Sequence, residues 1–276
     1  MSIREINSAI EKLELKGADV CIHASMKAFG ESFVDADSLI DAFLQNDCTI
    51  MVPTFSHDYE VCPIPSLMPP QNGAGDYSFF LESEYKNLPP FTTDSKVISR
   101  SSMGIFPERV LMRESSVRGN HPLNSFTAVG KNAEKLISCQ TKKEVYAPFR
   151  QLIENDGYVL LIGVGLTSAT IIHYAEQLSG RNPFLRWCLD ENGQVVAALT
   201  GSCSRGFGNF SEVLLPFERK ITVGESVWTL FKASEIAEVC RKAIEENPLI
   251  THCQNEDCHR CNDAVKGGPD ISRFLT

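Results

Sequence analysis

Apolar residues recur at helical spacing at the start of the chain, where Ile3, Ile6, Ile10 and Leu13 follow Ser2-Ile-Arg-Glu5, which has the form of a capping box. Gly17 is expected to stop that helix, and Val20-Cys21-Ile22 reads as a short buried strand with a polar turn from His23 to Gly30. Residues 36–46 read as a helix, and Cys48 to Val52 as the next strand, ended by Pro53. Short helices are expected at 105–113 and 131–138. The run Tyr158 to Val164 is apolar on both faces and is predicted to be a central strand, followed by a helix from about Thr167 to Leu178. Arg186 to Leu189 and Val195 to Leu199, joined by Asp190-Glu191-Asn192-Gly193, carry a hairpin signal, and a last helix spans about 233–246. The alternation of strand, turn and helix predicts an α/β fold.

Residues 56–100 break this rhythm. They are rich in prolines, aromatics and polar residues, and a long aperiodic stretch inside a compact domain is usually a lid or binding loop. The 276 residues suffice for a large core, and no apolar run approaches the roughly 18 residues of a membrane span. The N-terminus lacks the features of a secretory signal, so a cytoplasmic protein is expected, with its ten cysteines mostly as thiols. Lys plus Arg is 26 against 35 Asp plus Glu, a net charge of −9. That balance argues against a nucleic-acid binder and suits cationic ligands.

Five segments carry candidate chemistry. Ala24, Ser25 and Met26 follow a strand, so their backbone amides either hold a ligand at the sheet's carboxyl edge or form an ordinary turn. His57 and Asp58 follow the next strand, where a carboxylate either holds an ammonium group or caps a turn. His121 precedes Pro122, which keeps it out of a helix, and its imidazole is a natural proton acceptor unless it caps a loop. His173 and Glu176 stand at i and i+3 and could point to one cleft. In that same segment, the Gly163-Val164-Gly165 before the helix, with Asp190 about 20 residues on, is a weak dinucleotide signal. Cys253, Cys258 and Cys261, with His252 adjacent, either bind a structural zinc or are free thiols, while the other seven cysteines read as core.

Together these segments resemble the aminoglycoside 3-N-acetyltransferase family. Ile22-His23-Ala24-Ser25-Met26 through Gly30, Val52-Pro53-Thr54-Phe55-Ser56-His57-Asp58, and Ser102-Met103-Gly104 with Pro107-Glu108 match its motifs in order. So do Val117-Arg118-Gly119-Asn120-His121-Pro122 through Gly130, and Leu160 through Gly165 with His173-Tyr174-Ala175-Glu176. The matches cover about 155 residues, with His57 in place of the usual Trp and Gly119 in place of Ser.

The resemblance implies one compact domain with a central mixed sheet flanked by helices, an acceptor loop at 56–100 and a Cys-rich tail at 250–276. It implies transfer of an acetyl group from acetyl-CoA to an amine of an aminoglycoside or amino-sugar-like compound. His121 is the expected base, oriented by Glu176 or Glu144. Asp58 and His57 are expected at the acceptor. Ala24, Ser25, Met26, Met103, Gly104, Ser125 and Phe126 are expected at the CoA arm. The alternative is a non-catalytic, zinc-stabilised binding protein on the same fold.

Overall fold

The computed structural model describes residues 3–31 and 35–274. The described residues contain nine strands: β1 (Asp19–Ala24), β2 (Thr49–Pro53), β3 (Val117–Arg118), β4 (Phe126–Val129), β5 (Tyr158–Ile162), β6 (Phe184–Leu189), β7 (Val195–Thr200), β8 (Arg219–Val223) and β9 (Ser226–Lys232). Seven of them form one sheet in the order β3-β4-β2-β1-β5-β9-β8. β1 is parallel to β2 and to β5, and the outer pairs are antiparallel, so the sheet is mixed.

The pleat sorts the core. Val20 and Ile22 of β1 face one side with Ile6, Ile10, Leu39, Phe43 and Phe106. Cys21 faces the other with Phe149, Leu152, Ile171, Ile172, Ile236 and Cys240. Helices 3–12, 36–45 and 105–111 thus cover one face, and helices 147–154, 171–178 and 233–246 the other.

The first helix ends earlier than Gly17. Glu14 adopts φ +56°, and the amides of Leu15 and Glu14 bond back to the carbonyls of Ile10 and Glu11. Asp47 and Asp156 close the helices before β2 and β5 in the same way. Each of the three parallel strands is therefore launched by the same helix stop. Ser2, the expected cap of the first helix, lies outside the described residues.

β6 and β7 form the expected hairpin as a separate two-stranded sheet. Residues 56–100 pack on it with only short helical turns at 57–59, 65–67 and 78–82. Asn72 bonds both backbone groups of Leu185, and the Trp187 indole donates to the Leu67 carbonyl at 2.8 Å. The stretch is thereby held as an ordered wall. Among the described residues no helix is long and apolar enough to cross a membrane.

Candidate active site

A cleft of about 1040 Å³ opens at the carboxyl edge of the parallel strands. His23, Ala24, Ser25, Met26 and Lys27 line it after β1, Phe55 and His57 after β2, and Thr167, Ser168, Thr170 and His173 after β5. Met103 and Gly104 form another part of this side. The opposite wall comes from Glu60, Gly73, Phe79 and Phe80 of the aperiodic stretch, Arg186 and Thr200–Ser202 around the hairpin, and His259 and Arg260 of the tail.

His173 is the best-oriented titratable group in the cleft. Its helix, Ile171–Leu178, buries Ile171, Ile172 and Ala175 against the sheet, which aims His173 and Glu176 together. The Nδ1–H donates to Glu176 Oε2 at 2.8 Å. That carboxylate also accepts from Ser202 Oγ at 2.7 Å and from Arg181 Nη1 at 3.2 Å, and Arg181 is anchored on Thr251 and the Pro248 carbonyl. The imidazole lies between Tyr146, stacked at 6.1 Å, and Phe207, edge-on at 4.7 Å. Gly201 packs against this ring because it has no side chain: a Cβ there would stand 3.0 Å from Nε2 and 2.7 Å from the Tyr146 hydroxyl. Nε2 makes no hydrogen bond among the described residues and is free to take a proton from a group in the cleft.

His121 does not reach that position. It is fully buried outside the cleft lining, with Nε2 donating to the Leu199 carbonyl at 2.8 Å. Its Nδ1 accepts from the amides of Leu123 and Asn124 at 3.2 and 2.8 Å. Both ring nitrogens are thus committed inside the protein, and the residue expected as the base braces the Leu199 carbonyl and the Leu123 and Asn124 amides. Glu144 is also displaced: it is exposed and lies 3.7 Å from Arg150. Asp58 pairs with Lys86 at 2.9 Å outside the cleft lining.

Ser125 and Phe126 are fully buried and serve the framework. Ser125 exchanges hydrogen bonds with Thr54 and accepts from Arg118, while the Phe126 amide donates to Gln140. Gly119 makes room for Gln140, whose Oε1 would stand 2.0 Å from any Cβ placed there. The departure from the family pattern at Gly119 thus has a steric reason. Asp190 closes the hairpin turn by accepting from Asn192 and Gln194, which accounts for it without a dinucleotide.

Burial pushes both His23 and His121 down to about 4 from an ordinary 6.5. The fold keeps them neutral where the unfolded chain takes up protons. Stability is therefore full above about pH 6.5 and falls as pH drops toward 4, by about 1.4 kcal/mol per pH unit for each ring. Urea unfolding at pH 7.5 and pH 5.0 is expected to differ by about 3–4 kcal/mol from these two rings together. An equal stability at the two pH values would mean that they titrate normally.

The tail cysteines meet a fourth thiol from elsewhere. The Sγ atoms of Cys203, Cys253, Cys258 and Cys261 all lie within 4.8 Å of one another. The Cys253 amide donates to Cys261 Sγ at 3.4 Å. Cys203, read from the sequence as one of the scattered core thiols, follows β7 and the Gly201–Ser202 segment that touches His173 and Glu176. The C-x4-C-x2-C spacing revealed three members; the fourth had no local signal.

A mixed sheet of this order, with a His–Glu pair at the carboxyl edge of its parallel strands, defines an α/β protein with a paired imidazole and carboxylate beside its cleft. The sequence profile of the family described as aminoglycoside 3-N-acetyltransferase matches residues 21–245, and the chain belongs to that family. It is 28% identical over 181 residues to aminoglycoside N(3)-acetyltransferase IX of Micromonospora chalcea, covering 63% of this chain and 61% of that relative's length. The fold superposes on aminoglycoside acetyltransferase AAC(3)-IVa, apoenzyme, with a TM-score of 0.73 at 20% identity over 96% of both chains. It also superposes on AAC-IIIb binary with CoASH, with a TM-score of 0.72 at 19% identity over 89% of this chain and 97% of that one.

Proposed function

We propose that this chain transfers an acetyl group from acetyl-CoA to the amine of an amino-sugar-like acceptor, with His173 as general base. The observation that carries the reading is an imidazole on the cleft lining whose Nδ1 is fixed by Glu176 while Nε2 has no hydrogen-bond partner among the described residues. Family membership and a neighbour of the same fold bound to CoASH support it.

An amine attacks a thioester carbonyl only when it holds a free lone pair. Nε2 takes a proton from the nitrogen as the N–C bond forms, and Glu176 stabilises the imidazolium. The C–S bond then breaks, and the proton passes to the departing thiolate. The products are an amide and a thiol, and His173 ends neutral. Ala24, Ser25, Met26, Met103 and Gly104 line the side assigned to the CoA arm, with Lys27 as its cation; residues 56–100 and the hairpin form the acceptor wall.

The same reading assigns a structural zinc to Cys203, Cys253, Cys258 and Cys261. Zn–S bonds of about 2.3 Å in a tetrahedron place sulfurs about 3.8 Å apart, within the spacing of this cluster. Zinc there would tie the tail to the loop after β7. Four thiolates would fill the tetrahedron and leave no position for a reactant, which suits a structural role.

A thiol-release assay with acetyl-CoA and a panel of amino sugars and aminoglycosides tests the function. Release that depends on the amine is expected. Binding of acetyl-CoA without release on any amine would favour the non-catalytic alternative.

A further inference from the structure

The charge of the acceptor wall does not suit a polycation alone. Among the described residues lining the cleft, Glu60 is the single carboxylate, against Lys27, Arg186 and Arg260 and four histidines. Lys27 follows β1 on the side assigned to CoA, which leaves two guanidiniums and one carboxylate on the acceptor side. Asp58, the family position expected to hold an ammonium group, is neutralised by Lys86.

The two arginines are built into the wall. Arg186 packs its guanidinium over the Phe80 ring at 4.7 Å and donates from Nη1 to the Leu185 carbonyl at 2.7 Å. Its Nε lies 4.0 Å from Glu60 Oε1, too far for a hydrogen bond, and that oxygen is buried without a hydrogen-bond partner. Arg260 donates from Nη2 to the carbonyls of Gly201 and Ser202 and leaves its other donors uncommitted. Both guanidiniums act on His57 and on Glu60, so the four groups share one region of the cleft. That region adjoins the base, because Gly201, held by Arg260, lies against the His173 ring.

Resting on the transfer reading above, we propose that the acceptor carries an anionic group, a phosphate or a carboxylate, besides its amine, and that Arg186 and Arg260 bind it. A planar guanidinium with unspent N–H donors matches two oxygens of such a group. Glu60, lining the cleft beside them with one buried oxygen that has no hydrogen-bond partner, serves the acceptor's positive end. An anion held by Arg260 would place a nearby amine at His173 Nε2.

The test uses D-glucosamine, D-glucosamine 6-phosphate, 2-amino-2-deoxy-D-glucuronate and kanamycin as probes, with release of CoA thiol as the readout. One of the two anionic amines is expected to show a KM at least ten-fold below those of glucosamine and kanamycin, and which one identifies the group. Arg260→Gln, an exposed position, and Arg186→Gln are each expected to raise that KM about ten-fold and to leave the KM for acetyl-CoA unchanged. A rise in the acetyl-CoA KM with the acceptor KM unchanged would assign the arginines to CoA's phosphates and overturn the proposal. Efficient transfer to kanamycin, indifferent to both substitutions, would overturn it while leaving acetyl transfer intact. No release with any amine, but glucosamine 6-phosphate binding that requires Arg260, would keep the anion site and remove the transfer reading.

Discussion

Replacing His173 by alanine is expected to lower kcat about a thousand-fold while acetyl-CoA binds as it does to the parent. General-base assistance is worth about 10²–10⁴-fold, and no other imidazole in the cleft has the same combination of a fixed Nδ1–H and an open Nε2. His23 contacts Cys21 at 3.7 Å and is held neutral by burial, but no carboxylate orients it among the described hydrogen bonds. A stability loss of about 1–2 kcal/mol should accompany it, because the ring packs between Tyr146 and Phe207 and its bond to buried Glu176 is lost, although Ser202 and Arg181 still hold that carboxylate. His121→Ala gives the contrast. It strips the Leu199 carbonyl and two amides of their partner inside the protein, a cost of about 2–4 kcal/mol. Its activity loss should therefore follow unfolding, visible in a melting curve. A stable His173→Ala variant with full turnover would remove His173 from its role, and a stable, fully inactive His121→Ala variant would restore the other histidine.

Loss of the proposed zinc should have the second largest effect. Tag-free protein is expected to contain one zinc per chain by elemental analysis, and Cys203→Ser or Cys258→Ser to lose it. Structural zinc supplies about 10 kcal/mol or more in small domains. Here most of the fold stands without it, and a loss of about 3 kcal/mol would lower Tm by about 6–12 °C. The damage should reach activity, since Arg260 lies between Cys258 and Cys261 and braces Gly201 and Ser202. Ser202 in turn supports Glu176. Four thiols that titrate freely in protein grown with added zinc would sink the metal site. Zinc retained in Cys203→Ser would replace only the fourth ligand.

Much of the framework was legible from periodicity. The helix at 233–246 has the expected bounds, and the hairpin, the central β5 and the segments around β1 and β2 fall close to expectation. These elements bury one continuous stripe or a full apolar run, so their pattern is local. β3, β4, β8 and β9 were not anticipated. β3 has only two residues, and β4 mixes Thr127 into a fully buried run. β8 is largely exposed on an edge, so its residues carry little alternation. Pairing partners, rather than their own sequence, hold these three; β9 carries a buried, mostly apolar run, Trp228 to Phe231, whose signal was present in the sequence.

The site divides in the same way. The i, i+3 spacing of His173 and Glu176, the polar turns after β1 and β2, and the cysteine spacing of the tail are short-range features, and the sequence alone places them. The proline after His121 correctly excluded a helix but said nothing of burial; Leu199, 78 residues away, decides that the ring is spent in the core. The same hairpin brings Cys203 to the tail thiols and sets Arg186 near Arg260 on one wall of a cleft in an acidic protein. Sequence fixes which groups are neighbours along one helix or turn, because backbone geometry enforces that. Which lone pairs are free, which charges face each other and which thiols converge depend on contacts between residues far apart in the chain, and only the packed tertiary structure decides them.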